Sequence, residues 1–268
     1  MAELYRFSGA GNDFVIIDGR QREVGEYRTT PVINDICSRY GLDGLMILLE
    51  GPEGMDFAME FYNPDGTGGM MCGNGGRCIT AFAEYLGIRP GNGEVYHFQA
   101  PDGPHTAEIL ARDGRIWTVR LKMRDVRGVE PAMGGWFLDT GTRHLVLFVD
   151  NVDLVPVSTE GPRYRHDPAF APVGTNVNFV EKGLSRLKIR TFEKGVENET
   201  LACGTGITAS AIAARMAGIP PVGQDGDTMT YRFNARRGDR LTVTFRETTP
   251  DTFTDIYLTG PAELEKII

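Results

Sequence analysis

Two cysteines precede matching glycine-rich segments in this chain, Cys72–Gly76 (CGNGG) and Cys203–Gly206 (CGTG). Apolar residues at helical spacing follow each segment, so we expect each cysteine at the start of a helix. A helix N-terminus offers unpaired backbone N–H groups and about half a positive charge, which favours the thiolate form of a cysteine. Two such thiols around one small anion would allow one sulfur to remove a proton while the other delivers one to the opposite face. This chemistry predicts inversion at a carbon beside a carboxylate, with no metal or organic cofactor.

The two segments belong to a longer repeat with an offset of 131 residues. Cys203 follows Cys72 by this offset, and the segment Gly218–Pro221 (GIPP) follows Gly87–Pro90 (GIRP) by the same number. The offset is close to half of the 268 residues. The sequence therefore predicts two structurally similar halves, as a duplication would produce.

The elements around each cysteine can be predicted from the residue pattern. Apolar and polar residues alternate over 56–61 and over 187–191, which predicts a strand ahead of each cysteine. The second helix, expected over 207–217, is small and apolar on every side, so other elements should enclose it. Gly87 and Gly218 stand where a left-handed residue would end each helix.

The predicted fold class is α+β (α/β), because many short strands accompany one buried helix in each half. Each half is expected to wrap a sheet around its helix. The polar, turn-prone residues 111–115 predict a boundary between domains at 1–113 and 114–261. Residues 262–268 are a candidate addition to the first domain.

The composition excludes several classes of protein. A net charge of −8 argues against non-specific binding to nucleic acid, which requires positive charge. No run approaches the about 18–20 apolar residues of a membrane helix, and no secretory signal is visible, so we expect a cytoplasmic protein without a membrane partner. The four cysteines form no C-x2-C pair and have no histidine close by, so no metal site is expected. The expected partner is a small molecule.

The sequence resembles the diaminopimelate epimerases, a family of cofactor-independent amino-acid epimerases. The segments that carry the resemblance are Gly9–Phe14 (GAGNDF), Asn63–Gly66 (NPDG) leading into Met71–Cys78 (MCGNGGRC), and Glu199–Gly206 (ETLACGTG). The similarity covers nearly the whole chain. It implies two similar domains, each a curled, mainly antiparallel, barrel-like sheet around a central helix, with the active site in the cleft between them. It also implies a homodimer.

The resemblance assigns roles to individual residues. Cys72 and Cys203 would be the two acid/base thiols, with Cys203 favoured as the base for the LL substrate. His144 and Glu193 match residues that tune the thiols. The residues that would bind the amino-acid substrate are Asn12, Asn63, Gly73, Asn74, Asn176, Glu193, Lys194, Gly204 and Thr205. Taken without the resemblance, Asn63 is typical of a turn residue and His144 of a structural histidine.

Three features depart from the family pattern. Thr142 and Arg143 stand where the family has Asn-Pro, and Lys194 stands where it has an arginine that helps bind the distal carboxylate. Lysine lacks the bidentate geometry of arginine. The loop over 40–45 is about two residues shorter than the family's version. All three changes concern substrate recognition, whereas both cysteine segments are intact.

The main hypothesis is therefore epimerisation of LL-2,6-diaminopimelate to the meso form, a step of lysine and peptidoglycan synthesis. A racemase or epimerase of another amino acid, such as histidine or a proline derivative, is the first alternative. A non-catalytic protein that binds a small anion on the same scaffold is the second. The pattern leaves open whether Cys37 and Cys78 do more than pack.

Overall fold

The structure is a computed structural model that describes residues 2–21, 23–69, 71–91 and 93–268. The chain forms two compact units. The first consists of Met1–Leu121 with Gly260–Ile268, and the second of Lys122–Thr259. None of the helices in the described ranges is long and apolar enough to cross a membrane.

Strands dominate both units, and helices are few. The α-helices are α1 (Thr30–Tyr40), α2 (Gly73–Tyr85), α3 (Val157–Arg165) and α4 (Gly204–Met216). Short 3-10 helices cover Gly25–Arg28, Val152–Leu154 and Pro168–Phe170. The strands are β1 (Tyr5–Ser8), β2 (Asp13–Asp18), β3 (Gly44–Glu50), β4 (Phe57–Tyr62), β5 (Val95–Ala100), β6 (Gly103–Asp113), β7 (Ile116–Lys122), β8 (Val126–Arg127), β9 (Glu130–Ala132), β10 (Gly135–Asp139), β11 (Arg143–Val149), β12 (Asn176–Glu181), β13 (Leu187–Glu193), β14 (Asn198–Thr200), β15 (Gly223–Asp225), β16 (Thr228–Asn234), β17 (Arg240–Thr249) and β18 (Thr252–Ile267).

The strands of the first unit form a closed ring. Each strand from β1 to β7 pairs with the next, with parallel pairing at β2–β3 and β4–β5 and antiparallel pairing elsewhere. The second part of β18 closes the ring, because Gly260 pairs with Val119 on β7 and Ile267 pairs with Tyr5 on β1. Helix α2 packs against β2, β3 and β6. All of its residues from Gly73 to Ala83 are buried.

The second unit repeats the same order of pairings. Strands β10 and β11 are antiparallel, β11 and β12 parallel, and β12 and β13 antiparallel. A parallel β13–β16 pair and an antiparallel β16–β17 pair follow, as β4–β5 and β5–β6 do in the first unit. Helix α4 packs against β10, β11, β12 and β17. The predicted α/β class with two similar halves is confirmed.

The two buried helices match residue for residue. Each has 13 residues, and both ends of α4 lie 131 positions after those of α2. Gly87 follows α2 with φ of +80° and Gly218 follows α4 with φ of +71°, a backbone conformation that other residues rarely adopt. The N–H of Ile88 donates to the carbonyl of Ala83, and the N–H of Ile219 to that of Ala214. These bonds are those of the Schellman motif, so the predicted helix stops are confirmed.

Candidate active site

Cys72 occupies the N-cap position of α2. Its backbone is extended, and its Sγ accepts a hydrogen bond from the N–H of Gly75 at 3.2 Å. A Cβ atom on Gly75 would lie only 3.3 Å from this sulfur, so the glycine allows the close approach. The sulfur therefore lies against the positive end of the helix, where a thiolate is favoured.

Asn74, in the first turn of α2, is hydrogen-bonded to Asn12 and to a buried arginine. The Arg77 guanidinium is fully buried and donates to Oδ1 of Asn74 at 2.9 Å, as well as to the carbonyl oxygens of Gly9 and Gly73. Since Oδ1 of Asn74 faces this donor, its Nδ2 is the atom that donates to Oδ1 of Asn12, at 2.6 Å. The remaining polar atom of the Asn12 side chain is its donor, Nδ2. The role of Arg77 was not predicted from the sequence. A charged residue on a helix that is expected to be buried was the feature that could have indicated it.

Asn63 directly follows β4 and begins a turn. Its Nδ2 donates to Oγ1 of Thr67 at 3.1 Å, and its carbonyl accepts from the N–H of Gly66 at 2.9 Å. These contacts agree with the turn that the NPDG sequence predicts.

Cys203, Thr205 and His144 come together at the start of α4. Cys203 is buried, with 7% of its surface exposed, and its Sγ lies 3.4 Å from Oγ1 of Thr205. Nε2 of the fully buried His144 lies 3.0 Å from the same hydroxyl oxygen and 2.9 Å from Oγ1 of Thr142. The second unit thus brings these three predicted residues together, and Thr142, which was not predicted as a site residue, lies beside them.

His144 is neutral in this environment. Burial, followed by the positive charge of Lys194, lowers the pKa of His144 to about 3. The ring therefore influences its surroundings through hydrogen bonds rather than through a charge.

Asn176 connects the end of β13 to the His144 strand. Its Nδ2 donates to the carbonyl of Arg143 at 2.9 Å, and its Oδ1 accepts from the N–H of Lys194 at 2.8 Å. Asn176 and His144 are direct register partners across β12 and β11. Glu193 is the last residue of β13 and is half-buried. The sheet therefore brings Asn176, Glu193 and Lys194 to the same end of neighbouring strands.

Comparison with known proteins gives the relationship. The family model described as "Diaminopimelate epimerase" matches residues 5–126 and 136–265. The chain belongs to the diaminopimelate epimerase family. The family that the sequence resembles is therefore confirmed.

Relatives within the diaminopimelate epimerase family span nearly the whole chain. The diaminopimelate epimerase of Chlorobaculum tepidum is 42% identical over 265 residues, covering 95% of this chain and 96% of its own. That of Flavobacterium psychrophilum is 40% identical, covering 97% of each chain. A PhzF-family phenazine biosynthesis protein of Bacillus anthracis has a similar structure, with a TM-score of 0.75 at 14% identity over 100% of this chain and 98% of its own. This last likeness shows the fold alone.

The other two cysteines of this family member are buried, and Cys37 belongs to an apolar core cluster. Burial raises the pKa of Cys37 to about 11, with a smaller contribution from Asp43. Burial also raises the pKa of Cys78, which is completely enclosed. Both groups are therefore thiols near neutral pH and pack as small hydrophobic residues. Among the described residues, no three His, Cys, Asp or Glu side chains cluster so as to hold a metal ion.

Proposed function

We propose that this chain epimerises LL-2,6-diaminopimelate to the meso form, using the thiols of Cys72 and Cys203. The observation that carries the proposal is the match to the diaminopimelate epimerase family over both cysteine segments, each at the start of a buried helix. The reaction inverts one α-carbon. A base must therefore remove the proton from one face while an acid supplies a proton to the other.

Cys72 and Cys203 are the proposed base and acid, and their roles exchange with the direction of the reaction. As the α-proton leaves, negative charge develops on the α-carbon and spreads into its carboxylate. The proposed acceptors of this charge are the backbone N–H groups that begin α2 and α4, at Gly73–Asn74 and Gly204–Thr205. The helix ends thus favour both the thiolate and the substrate carboxylate.

The other predicted side chains would bind the rest of the substrate. Asn12 can donate from Nδ2, whereas Asn63, Asn176 and Glu193 offer amide and carboxylate groups. Lys194 takes the position of the family's arginine, and its ammonium would pair with the distal carboxylate as a point charge. Replacing Lys194 by methionine should raise KM for diaminopimelate about tenfold, with a smaller change in kcat. An unchanged KM would remove Lys194 from the binding site.

Deuterium exchange tests the reaction itself. In D2O the inverted product should carry solvent deuterium at its α-carbon. Cys72→Ala and Cys203→Ala should each lower epimerisation by about 10²- to 10⁴-fold. Cys37→Ala, which removes a packed thiol, is the matched control and should keep its activity. Full activity in both site variants would contradict the two-thiol mechanism.

A second candidate is the racemisation of another amino acid, which the changes at Thr142 and Lys194 favour. A panel containing diaminopimelate, histidine and proline derivatives, analysed by chiral chromatography, separates the two. Inversion of a monocarboxylate alone would reject diaminopimelate as the substrate. Binding of an anion without exchange of its α-hydrogen would favour the non-catalytic alternative.

We also propose a cytoplasmic homodimer, on the strength of the family resemblance and the small number of cysteines. Light scattering on the purified chain measures its mass in solution. A mass of one chain, 29.5 kDa, at micromolar concentration would contradict the dimer.

A further inference from the structure

The two units differ at the positions beneath their matching helix starts. In the first unit a Cβ on Gly75 would meet Sδ of Met46 at 3.4 Å and the ring of Phe14 at 4.0 Å. In the second unit a Cβ on Gly206 would instead meet Oδ1 of Asn178 at 2.4 Å and Cε1 of His144 at 3.3 Å.

Strand register shows that these residues correspond. Phe14 pairs with Gly44 across β2 and β3, two residues before Met46. His144 pairs with Asn176 across β11 and β12, two residues before Asn178. The fold therefore accepts an apolar pair at these two positions in one unit and a polar pair in the other. The polar pair is specific to the helix that begins at Cys203.

The side-chain amide of Asn178 has one possible orientation. Its Nδ2 lies 3.1 Å from the carbonyl oxygen of Leu145, which can only accept a hydrogen bond. Its Oδ1 lies 3.0 Å from Oγ1 of Thr191, which can donate. The second hydrogen of Nδ2 then points to Nδ1 of His144, at 3.1 Å. Nδ1 is therefore an acceptor, and the neutral ring carries its proton on Nε2.

This tautomer determines the direction of the remaining hydrogen bonds. With a proton on Nε2, His144 donates to the threonine oxygens beside it, and neither hydroxyl can donate back. The Thr142 hydroxyl can donate to Oγ1 of Thr205 at 3.2 Å. The Thr205 hydroxyl can then donate to Sγ of Cys203 at 3.4 Å. The opposite tautomer would make Nε2 an acceptor and draw a hydroxyl hydrogen away from the sulfur.

We propose that Thr205, His144 and Asn178 are positioning residues that stabilise the thiolate of Cys203 through this one-way chain of hydrogen bonds. A hydrogen bond to an ionised acceptor is stronger than one to a neutral acceptor, so the chain favours the charged form of the sulfur. The catalytic meaning of this inference rests on the proposed function. Its consequence for that function is that the two thiols are not equivalent. The Cys203 thiolate has a directed hydroxyl donor, whereas the Cys72 sulfur accepts from the backbone of its own helix.

The strands around His144 also carry charged side chains. Asp139 and Arg143 lie on β10 and β11, and Glu193 and Lys194 lie at the end of β13. Burial and, to a smaller extent, the Lys194 charge lower the pKa of His144, so the ring stays neutral. This charge therefore preserves the direction of the chain rather than competing with it.

The test measures the Cys203 thiol in the free protein, without substrate. The full chain is alkylated briefly with iodoacetamide between pH 5 and 10, and modification of the Cys203 peptide is measured by mass spectrometry. Thr205→Val should shift the pH profile of Cys203 upward and lower its rate at pH 7 by about three- to tenfold, because less thiolate is present. Thr205→Ser keeps the hydroxyl and should restore the parent profile. An unchanged profile in Thr205→Val would overturn the proposal.

A second variant places the first unit's residues in the second. His144→Phe combined with Asn178→Met reproduces the Phe14 and Met46 pair, which the fold already accepts. In the parent background it should shift the Cys203 profile upward, and in the Thr205→Val background it should add nothing. An equal shift in both backgrounds would show that the pair does not act through Thr205, which contradicts the proposal.

Nitrogen-15 NMR of the parent protein tests the direction of the chain without any substitution. His144 should show the Nε2–H tautomer and no protonation between pH 5 and 8. An Nδ1–H tautomer would overturn the proposal even if every variant failed to fold. These readouts are also distinct from those of the proposed function, because neither alkylation nor NMR requires turnover. A shifted profile in a protein that epimerises nothing would leave this inference standing and reject the epimerase.

Discussion

Asn74 and Asn12 are joined by a 2.6 Å hydrogen bond from Nδ2 of Asn74 to Oδ1 of Asn12, across 62 positions of the chain. Arg77 determines the direction of this bond, because its guanidinium donates to Oδ1 of Asn74 and so leaves Nδ2 of Asn74 to donate to Asn12. A buried guanidinium thus determines which atoms two asparagines present at the start of α2. Asn12 is left with a donor for a substrate, which suits a carboxylate better than an ammonium group.

Arg77→Met should destabilise the protein by about 3 kcal/mol. The substitution leaves the carbonyl oxygens of Gly9 and Gly73 without this donor in a buried place, and each such loss costs about 1–3 kcal/mol. Urea unfolding measures the effect. Arg39→Met, on the exposed face of α1, is the matched control and should change stability by less than about 1 kcal/mol. Equal effects of the two substitutions would contradict the structural role of Arg77.

Gly206→Ala should cost about 2 kcal/mol of stability, because its Cβ would lie 2.4 Å from Oδ1 of Asn178 in a well-packed interior. Gly25→Ala is the control, since nothing lies within 4 Å of a Cβ at that position. Thermal unfolding of the two variants beside the parent compares them. A Gly206→Ala protein as stable as the Gly25→Ala protein would show that the Asn178 side chain yields easily.

His144 should make stability fall as the solution becomes more acidic. Its folded pKa of about 3 lies below the ordinary value of 6.5, so between these values only the unfolded chain binds the proton. Stability attributable to this group is complete above pH 6.5 and decreases by up to about 1.4 kcal/mol per pH unit below it. Urea unfolding of the parent and of His144→Phe, at pH 7.5 and pH 5, isolates the effect. The parent should lose about 2 kcal/mol more than the variant over this range. A pH-independent difference between the proteins would mean that the ring is already protonated or accessible to water.

Cys37 and Cys78 should resist alkylation in the folded protein. Burial raises the pKa of both thiols, so at pH 8 their thiolate content and their access to reagent are both low. Labelling with iodoacetamide should be at least about 100-fold slower at these residues than at the half-exposed Cys72. In denaturant, all four cysteines should react at similar rates. Comparable labelling of Cys37 and Cys72 in the native protein would contradict the packing described for Cys37.

The sequence predicted the parts of the fold that depend on local pattern. Helices α2 and α4 have clear starts, apolar faces and glycine stops, and both are where the repeat placed them. Helix α3 was missed because its sequence, VSTEGPRYR, is polar and contains Pro162 inside the helix. Strand β6 was missed because Ala107 is its only buried residue, which leaves no alternation to detect.

The chemistry of the site was predicted less completely, because part of it depends on contacts between residues that are distant in the sequence. The cysteines and their glycines form contiguous motifs, so their place at helix starts could be inferred. The link from Asn178 to His144 depends on strand register, since the two residues are 34 positions apart and meet only across β11 and β12. Nothing in the local sequence distinguishes Asn178 from Asn176, although Nδ2 of Asn178 lies beside Nδ1 of His144 whereas Nδ2 of Asn176 donates to the carbonyl of Arg143. The side-chain role of Thr205 could not be inferred either, because its contact with His144 joins residues 61 positions apart.

Strand β18 has a consequence for how the protein is made. Residues 260–267 complete the ring of the first unit. Until they have been synthesised, the edges of β1 and β7 that pair with β18 have no partner strand. The second unit, Lys122–Thr259, is fully translated before that point. The N-terminal unit therefore cannot be completed before the C-terminal one has been synthesised. Limited proteolysis of a released chain that ends at residue 259 should cleave residues 1–121 faster than residues 122–259. Of the two copies of this architecture, the one that begins the chain is thus the one that depends on its last residues.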